Sequence, residues 1–509
     1  MSGASARAGR IAIPRPSRFL QHRTLVVVGA GGYDALLVAA LAALAAVFLI
    51  ETPAAFGVDS WLALVAGREV WQNGIPHHEA LTVVSHGAAW IDQQWLSQVT
   101  SYALYKVGGL GLLALANVTL ITSGLAGAAV AARRLGASAR TVVAVLPVCA
   151  WLVLPSGEVR TQAFAFPLFV ATFYLLASDS RAPSRRVYWC LPLLVLWANL
   201  HGSASLGAGL VVLRGLTLAW DRRRDLARGV RAWRRPLALA VGGPLCLLLT
   251  PYGTSVLSYY RATLLSSTLK HAVTEWQPVT SSTFIAIPLF LLLALALWSF
   301  GRYPGKTTIW EKAAFIALGV GGIDAVRNTS FVALAGLIVV GVSLDGLIRG
   351  LQGGENRLRP RLNRAFAVGT LLVVAVAGIG TVARPARAFE NARLQRVLAV
   401  VASATSANRS LDVLADQKSA DWLLWRDPDL RGRVAFDVRF ELLPAATLRQ
   451  MQRLYLAAGP DWKRAARGYR LLVLDTKDDP LSTRAFLTES GHRVLYDDGR
   501  FVVILRGVS

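Results

Sequence analysis

Residues 33–71 read YDALLVAALAALAAVFLIETPAAFGVDSWLALVAGREVW, and this stretch decides the fold. Ala35 to Ile50 contains no charged residue. A run of that length in hydrocarbon is stable only as a helix, which satisfies its own backbone hydrogen bonds. After Glu51 the pattern changes. Asp59 opens an amphipathic stretch that runs to Trp71, and Trp61 and Trp71 are residues that prefer the headgroup level. A membrane span therefore leads into a helix lying along the membrane surface.

The rest of the chain extends the first half of this pattern. Apolar runs follow Tyr33–Ile50 at Gly109–Ala132, Thr141–Leu154, Ala163–Ala177, Tyr188–Ala198, Ala204–Ala219, Pro236–Thr250, Phe284–Phe300, Lys312–Ile323, Ser330–Leu347 and Phe366–Ala383. They predict a polytopic α-helical membrane protein with about eleven transmembrane helices, several of which must extend into their flanks to cross. Of the 509 residues, 54% are apolar and only 17% charged, against about 25% charge in an ordinary soluble chain. The net charge of +24 comes with no Arg-Gly repeat or zinc spacing. It reads as a membrane-topology signal, with no nucleic-acid partner. Cys149, Cys190 and Cys246 all fall in apolar segments, so they imply neither a disulfide framework nor a metal site.

Positive charge sets the orientation. Arg7, Arg10, Arg15, Arg18 and Arg23 precede the first span, which has no convincing cleavage site and reads as uncleaved. Alternate connections then hold Arg133, Arg134 and Arg140; Arg181, Arg185 and Arg186; Arg222 to Arg224, Arg228, Arg231, Arg234 and Arg235; Arg302 and Lys306; and Arg349, Arg357, Arg359, Arg361 and Arg364. The positive-inside rule makes these cytoplasmic. The expected division is a basic cytoplasmic tail (1–32), a transmembrane domain (33–385) with extracytoplasmic loops 51–108 and 251–283, and an extracytoplasmic α/β domain (386–509). The membrane is expected to be a bacterial inner membrane.

Within loop 51–108 a second amphipathic stretch runs from Ile91 to Lys106. In the C-terminal part, strands are expected at Leu411–Ala415, Arg433–Phe436, Arg470–Asp475, Arg493–Tyr496 and Phe501–Leu505. Helices are expected at Ser419–Trp425, Ala445–Ala458 and Leu481–Ser490. The last two strands should form a hairpin around Asp497-Asp498-Gly499.

No Walker loop, HExxH, nucleophile elbow or dinucleotide fingerprint is present. The chemistry must come from polar residues at one membrane face. Asp59 heads them, either as a general base tuned by partial desolvation or as the N-cap of the following helix. Glu79 and Asp92, with His77 and His78, leave a divalent cation open, although their spacing matches no standard site. Asn199 and His201 interrupt an apolar hairpin, where polar groups must line a cavity or pair with each other. Arg160 and Arg327 stand next to spans on the arginine-poor face. They suit a phosphate, or else pair with Glu158 and Asp324. Glu275 falls in loop 251–283. Asp437 and Arg439 follow a strand and are read as solvated loop charges without a role.

The order of a first span, a long loop opening Asp59-Ser60-Trp61, then Gly67-Arg68, Asn73-Gly74-Ile75-Pro76 and Gln94-Trp95-Leu96 resembles the polyprenyl-phosphate-sugar-dependent membrane glycosyltransferases of the GT-C superfamily. More narrowly, Asn199-Leu200-His201-Gly202, Pro251-Tyr252-Gly253 and Glu275-Trp276-Gln277-Pro278 look like a bacterial branch with a C-terminal α/β domain. The resemblance implies that Asp59 deprotonates an acceptor hydroxyl on a glycan, lipid or protein. It also implies that Arg160 or Arg327 steadies the departing lipid phosphate. Ser60 departs from the pattern, because many members carry a second acidic residue there. A different reading is a non-catalytic transporter, flippase or assembly protein for lipid-linked glycans, although the spans look too apolar for a hydrophilic path.

Overall fold

The computed structural model describes residues 32–223, 229–264, 266, 270, 273–350 and 360–507. The arginines of the N-terminal tail, Arg224, Arg228, Arg357, Arg359 and part of loop 251–283 lie outside the described residues.

Every expected apolar run forms a helix. They are α1 (Gly32–Glu51), the larger part of α3 (Trp95–Arg134), α4 (Ala139–Val153), α5 (Ala165–Arg181), α6 (Cys190–Leu200), α7 (Ala204–Asp221), α8 (Arg234–Cys246), α10 (Thr283–Arg302), α11 (Ile309–Asp324), α12 (Thr329–Gly350) and α13 (Pro360–Ala383). Seven of them, counted with their short 3₁₀ extensions, are long and apolar enough to cross a membrane, and the chain is a multi-pass membrane protein. The helices α6, α7, α8 and α11 fall short of that measure. The most deeply packed is α12, which is buried from Thr329 to Asp345. In contrast, α13 packs along α1 and turns most of its apolar side chains outward.

Two further helices, α2 (Val58–Asn73) and α9 (Val256–Leu264), belong to the loops. The surface stretch beginning at Trp95 joins its span without a break in the chain, but the backbone kinks at Gly108 and Gly109. Gly109 has φ +65°, a left-handed conformation in which a glycine carries no steric cost.

The described arginines of the basic connections gather at the end of the bundle where α1 begins. Arg133 pairs with Asp34, Arg181 with Glu311, and Arg349 with Asp345. Buried Asp179 holds both Arg214 and Arg235. The cysteines are free and buried.

At the opposite end sits a small sheet domain. It comprises α14 (Ala392–Ala407), β1 (Val413–Ala415), α15 (Gln417–Arg426), α16 (Ala445–Leu456), β2 (Leu471–Asp475), α17 (Pro480–Leu487), β3 (His492–Asp497) and β4 (Phe501–Arg506). The order is β1-β2-β4-β3, parallel at β1–β2 and antiparallel elsewhere. The hairpin forms around Asp497-Asp498-Gly499 as expected. Both faces are covered at β1, β2 and β4, whose buried positions run nearly without a break, whereas the edge strand β3 is largely exposed. Leu471, Val473 and Val503 pack toward α2 and α15, whereas Leu472, Leu474 and Ile504 pack toward α16 and α17.

One expected strand differs. Residues 433–436 form only isolated bridges, Val434 pairing with both Val413 and Thr82. The amides of Val83 and Val84 donate to the carbonyls of Val434 and Ala435. Segment 433–436 and then loop 51–108 thus continue the sheet beyond β1. Arg68 fastens the same two parts. Its guanidinium donates to the carbonyls of Leu424 and Trp425 at 2.6 and 2.9 Å, satisfying two of the four orphan acceptors at the C-terminus of α15.

Candidate functional site

The start of α2 explains how Asp59 is free to face a cavity. Gly57 occupies the N-cap position, and Ser60 performs the capping: its hydroxyl accepts from the Gly57 amide at 3.1 Å and donates to the Val159 carbonyl at 2.6 Å. Asp59 is therefore not the cap. Ser60 is fully buried and does not line the cavity. Gly57 also matters sterically, because a side chain there would occupy the place of the Glu158 carboxylate.

Arg160 stands at the entry to a 3₁₀ turn leading into α5. Its guanidinium meets three carboxylates: Asp59 at 3.3 Å, Glu158 and Glu275. Burial opposes the Arg160 charge, but Asp59, Glu275 and Glu158 outweigh it and hold the group protonated. Burial raises the Asp59 carboxyl above its ordinary range; Arg160 opposes this, Glu275 adds to it, and Arg327 opposes it. The side chain is 39% exposed. That surface opens into the cavity, which is why a partly exposed carboxylate still has a raised pKa. Burial likewise raises Glu158, against the pull of Arg160.

Arg327 is placed differently. Its guanidinium lies 4.5 Å over the Trp276 ring, and among the described residues no carboxylate is within ion-pair distance of it. Asp324 pairs with Lys270 instead. His201 is buried, and its pKa is lowered to about 3 by burial first and by Arg327 and Arg160 after that. Its Nδ1 lies 3.1 Å from the Ser203 amide, which can only donate, so Nε2 carries the proton of the neutral ring.

These groups line one cavity of about 840 Å³ between the helical bundle and the sheet domain. Asp59, Arg160, His201, Glu275 and Arg327 all contribute. So do Val47, Phe48 and Leu154, from the ends of α1 and α4. The roof comes from the sheet domain, with Trp422 and the segment Val438–Glu441. Burial pushes Glu441 up to about 7, with Arg439 opposing and Asp437 and Asp59 adding.

Three expected residues lie elsewhere. Asn199 donates to the carbonyls of Val195 and Leu249 and accepts from the Trp95 indole, so it ties helix ends together. Asp92 is buried outside the cavity wall, and burial raises it to about 7 against the opposing effect of Arg439. Glu79 accepts from the amides of Leu81 and Thr82 and pairs with Arg439. The cation suggested for Glu79, Asp92, His77 and His78 is accordingly corrected. Glu79 is committed to Arg439, His77 packs on the Tyr252 ring, and among the described residues no three His, Cys, Asp or Glu side chains converge as a metal site.

Arg439, given no role from the sequence, is buried between Glu79 and Asp437 and lies 4.2 Å over Trp90. It locks the roof to loop 51–108. Glu441 was missed as well. A signal for both was present in Asp437-Val438-Arg439-Phe440-Glu441, where charged side chains alternate directly after an apolar run.

No protein-family model matches the chain, and no curated protein matches it by sequence. Solved structures do resemble it. The archaeal oligosaccharyltransferase AglB of Archaeoglobus fulgidus, in complex with an inhibitory peptide and a dolichol-phosphate, aligns with a TM-score of 0.53 at 12% identity, over 91% of this chain and 74% of that one. ArnT of Cupriavidus metallidurans, bound to undecaprenyl phosphate, aligns with a TM-score of 0.50 at 18% identity, over 94% of this chain and 100% of that one. Both neighbours belong to the GT-C superfamily. This chain has the GT-C fold. Both alignments to the GT-C fold cover more than nine-tenths of this chain.

Proposed function

We propose that the protein is an integral-membrane glycosyltransferase. It takes a sugar from a polyprenyl-phosphate-linked donor and passes it to an acceptor on the extracytoplasmic face of a bacterial inner membrane. The N-terminus would then be cytoplasmic and the sheet domain extracytoplasmic. One observation carries the reading. The polar cavity holding Asp59 and Arg327 runs down to Val47 and Leu154, both exposed apolar side chains at the ends of membrane helices. A donor anchored by its lipid can present its phosphate there without leaving the bilayer, and its tail meets apolar surface. The neighbours bound to dolichol-phosphate and undecaprenyl phosphate support the same donor class.

Asp59 takes the acceptor hydroxyl proton as that oxygen attacks the anomeric carbon. The bond from that carbon to the phosphate oxygen breaks, and its electrons leave with the polyprenyl phosphate. Asp59 suits this role because burial makes its carboxylate a stronger base, while Arg160 keeps the ionised form accessible. Arg327, which has no carboxylate partner among the described residues, receives the phosphate charge. His201 offers its Nε2–H to the cavity.

Purified protein in nanodiscs, incubated with a panel of radiolabelled polyprenyl-phosphate sugars, tests the proposal. Release of the sugar to water or to an added acceptor is expected for at least one donor. Transbilayer movement without bond cleavage would favour a flippase, and neither outcome would leave an assembly protein.

A further inference from the structure

The cavity around Asp59 adjoins a second space in the sheet domain. A smaller cavity of about 310 Å³ lies at the carboxyl ends of the parallel strands β1 and β2, and Gln417, Lys418 and Phe440 line both spaces. The crevice beyond the carboxyl ends of parallel strands is where α/β sheets commonly receive ligands. Its wall combines Asp478 and Asp479, just before α17, with the rings of Phe440 and Tyr455. Lys418 is held by Asp478 at 2.7 Å, so its charge is compensated. Asp479 makes no ion pair among the described residues. Glu441, next to Phe440 in sequence, faces the larger space. Among the described residues its carboxylate accepts a hydrogen bond from its own backbone amide alone. Glu441 and Asp59 thus enter one cavity from opposite halves of the protein.

Carboxylates with free acceptor oxygens are suited to the hydroxyls of a sugar ring, and aromatic rings beside them to its apolar face. Burial pushes Glu441 and Asp479 up to about 7, and where ionised they repel phosphate and other anions. A lipid acceptor would need an apolar approach from the bilayer, which the larger cavity offers at Val47 and Leu154; the crevice, although Leu448 and Met451 also line it, lies within the sheet domain. We propose that the acceptor is an uncharged saccharide chain that enters through this crevice and is held by Glu441 with its reactive hydroxyl beside Asp59. The inference rests on the glycosyltransferase reading for its chemistry, but it concerns the acceptor side only. It also gives the sheet domain a task beyond covering the site.

Saturation-transfer difference NMR on the full chain in nanodiscs tests it without a known donor. The probes are uncharged di- and trisaccharides of mannose, galactose, glucose and arabinose, with a sulfated disaccharide and a neutral hexapeptide as counter-probes. At least one uncharged saccharide is expected to bind, and Glu441→Gln and Asp479→Asn are each expected to weaken it about tenfold, the effect of losing one charge-assisted hydrogen bond. An unchanged melting temperature guards against misfolding. If only the peptide or the anion binds, if no saccharide binds, or if both variants bind as the wild type does, the inference is overturned. Donor turnover by the wild type alongside any of those results leaves the donor-site reading intact. Saccharide binding lost in both variants, without turnover of any lipid-linked donor, sinks that reading instead.

Discussion

Replacing Arg439 by methionine removes the cation that joins the roof of the cavity to loop 51–108 while keeping most of the side-chain length. The guanidinium is buried between Glu79 and Asp437 and stacked on Trp90. Without it, Glu79 keeps the amides of Leu81 and Thr82, whereas Asp437 keeps only the backbone amide of residue 439. Deleting one partner of a buried ion pair costs about 3–5 kcal/mol, because the charge left behind is uncompensated. The lost cation–π contact adds to this in a way that is not additive. Taking only the lower figure, the population in which segment 432–441 is released rises roughly a hundredfold. Hydrogen–deuterium exchange in nanodiscs reads this directly at the amides of Val83, Val84 and Gly432, which bridge the two parts, and of Ala435, which ties the segment to Val413 of β1. Glu79→Gln keeps an acceptor for Leu81 and Thr82 but removes the stranded charge. Added to Arg439→Met, it is expected to restore part of the protection. Exchange that stays within about twofold of wild type at all four amides, or a further loss in the double variant, would refute the account.

Asp59→Asn is expected to lower sugar transfer by about 10²–10⁴-fold, the usual weight of a general base, with no change in melting temperature, because Arg160 retains Glu158 and Glu275. With the Asp59 carboxyl raised by burial, transfer should increase with pH through a limb lying above the ordinary carboxylate range, and a limb at that ordinary range in the kcat/KM profile counts against Asp59 as the base. Arg327→Gln should raise the donor KM about tenfold or more without destabilising the fold, whereas Arg160→Gln should also lower the melting temperature by leaving three carboxylates together. The folded state keeps Asp92 protonated up to about 7 while the unfolded chain releases that proton near 3.8, so stability falls as pH rises across that window. Asp92→Asn should therefore raise the melting temperature at pH 8 more than at pH 5, and an equal change at both would refute the assignment.

What the residues revealed, and what they hid, follows from the range of the interactions involved. Span positions and the break before Gly109 are local patterns of apolar runs and glycine, and they are legible at their place in the chain. The hairpin at Asp497-Asp498-Gly499 is equally local. The alternating charges around Arg439 mark the segment but not its role, because the partner Glu79 lies in a different loop and the same charges in an open loop would be solvated. Residues 433–436 have strand composition, yet they form only isolated bridges, to Val413 on one side and Thr82 on the other, pairings set by tertiary contact. The helix Ala392–Ala407 was passed over although Leu394, Val397 and Val401 carry its apolar face. Ser60 illustrates the reverse error. Compared with a family pattern it reads as a lost acid, and in the fold it is the cap that leaves Asp59 free.

The two arginines that the sequence left equivalent are separated by their neighbours. Arg160 cross-links α2, the segment before α5 and the turn at Glu275, and its charge is more than matched by the three carboxylates it meets. A phosphate arriving there would have to displace a carboxylate and desolvate it, so the gain from a new ion pair would be offset by the loss of an old one. Arg327 is oriented by the Trp276 ring, and among the described residues its hydrogen-bond donors are committed to no acid. An anion reaching Arg327 gains the whole interaction. Under the proposed function the division of labour is physical: Arg160 fixes where the Asp59 carboxylate stands and how basic it is, and Arg327 would receive the charge that the departing phosphate carries away.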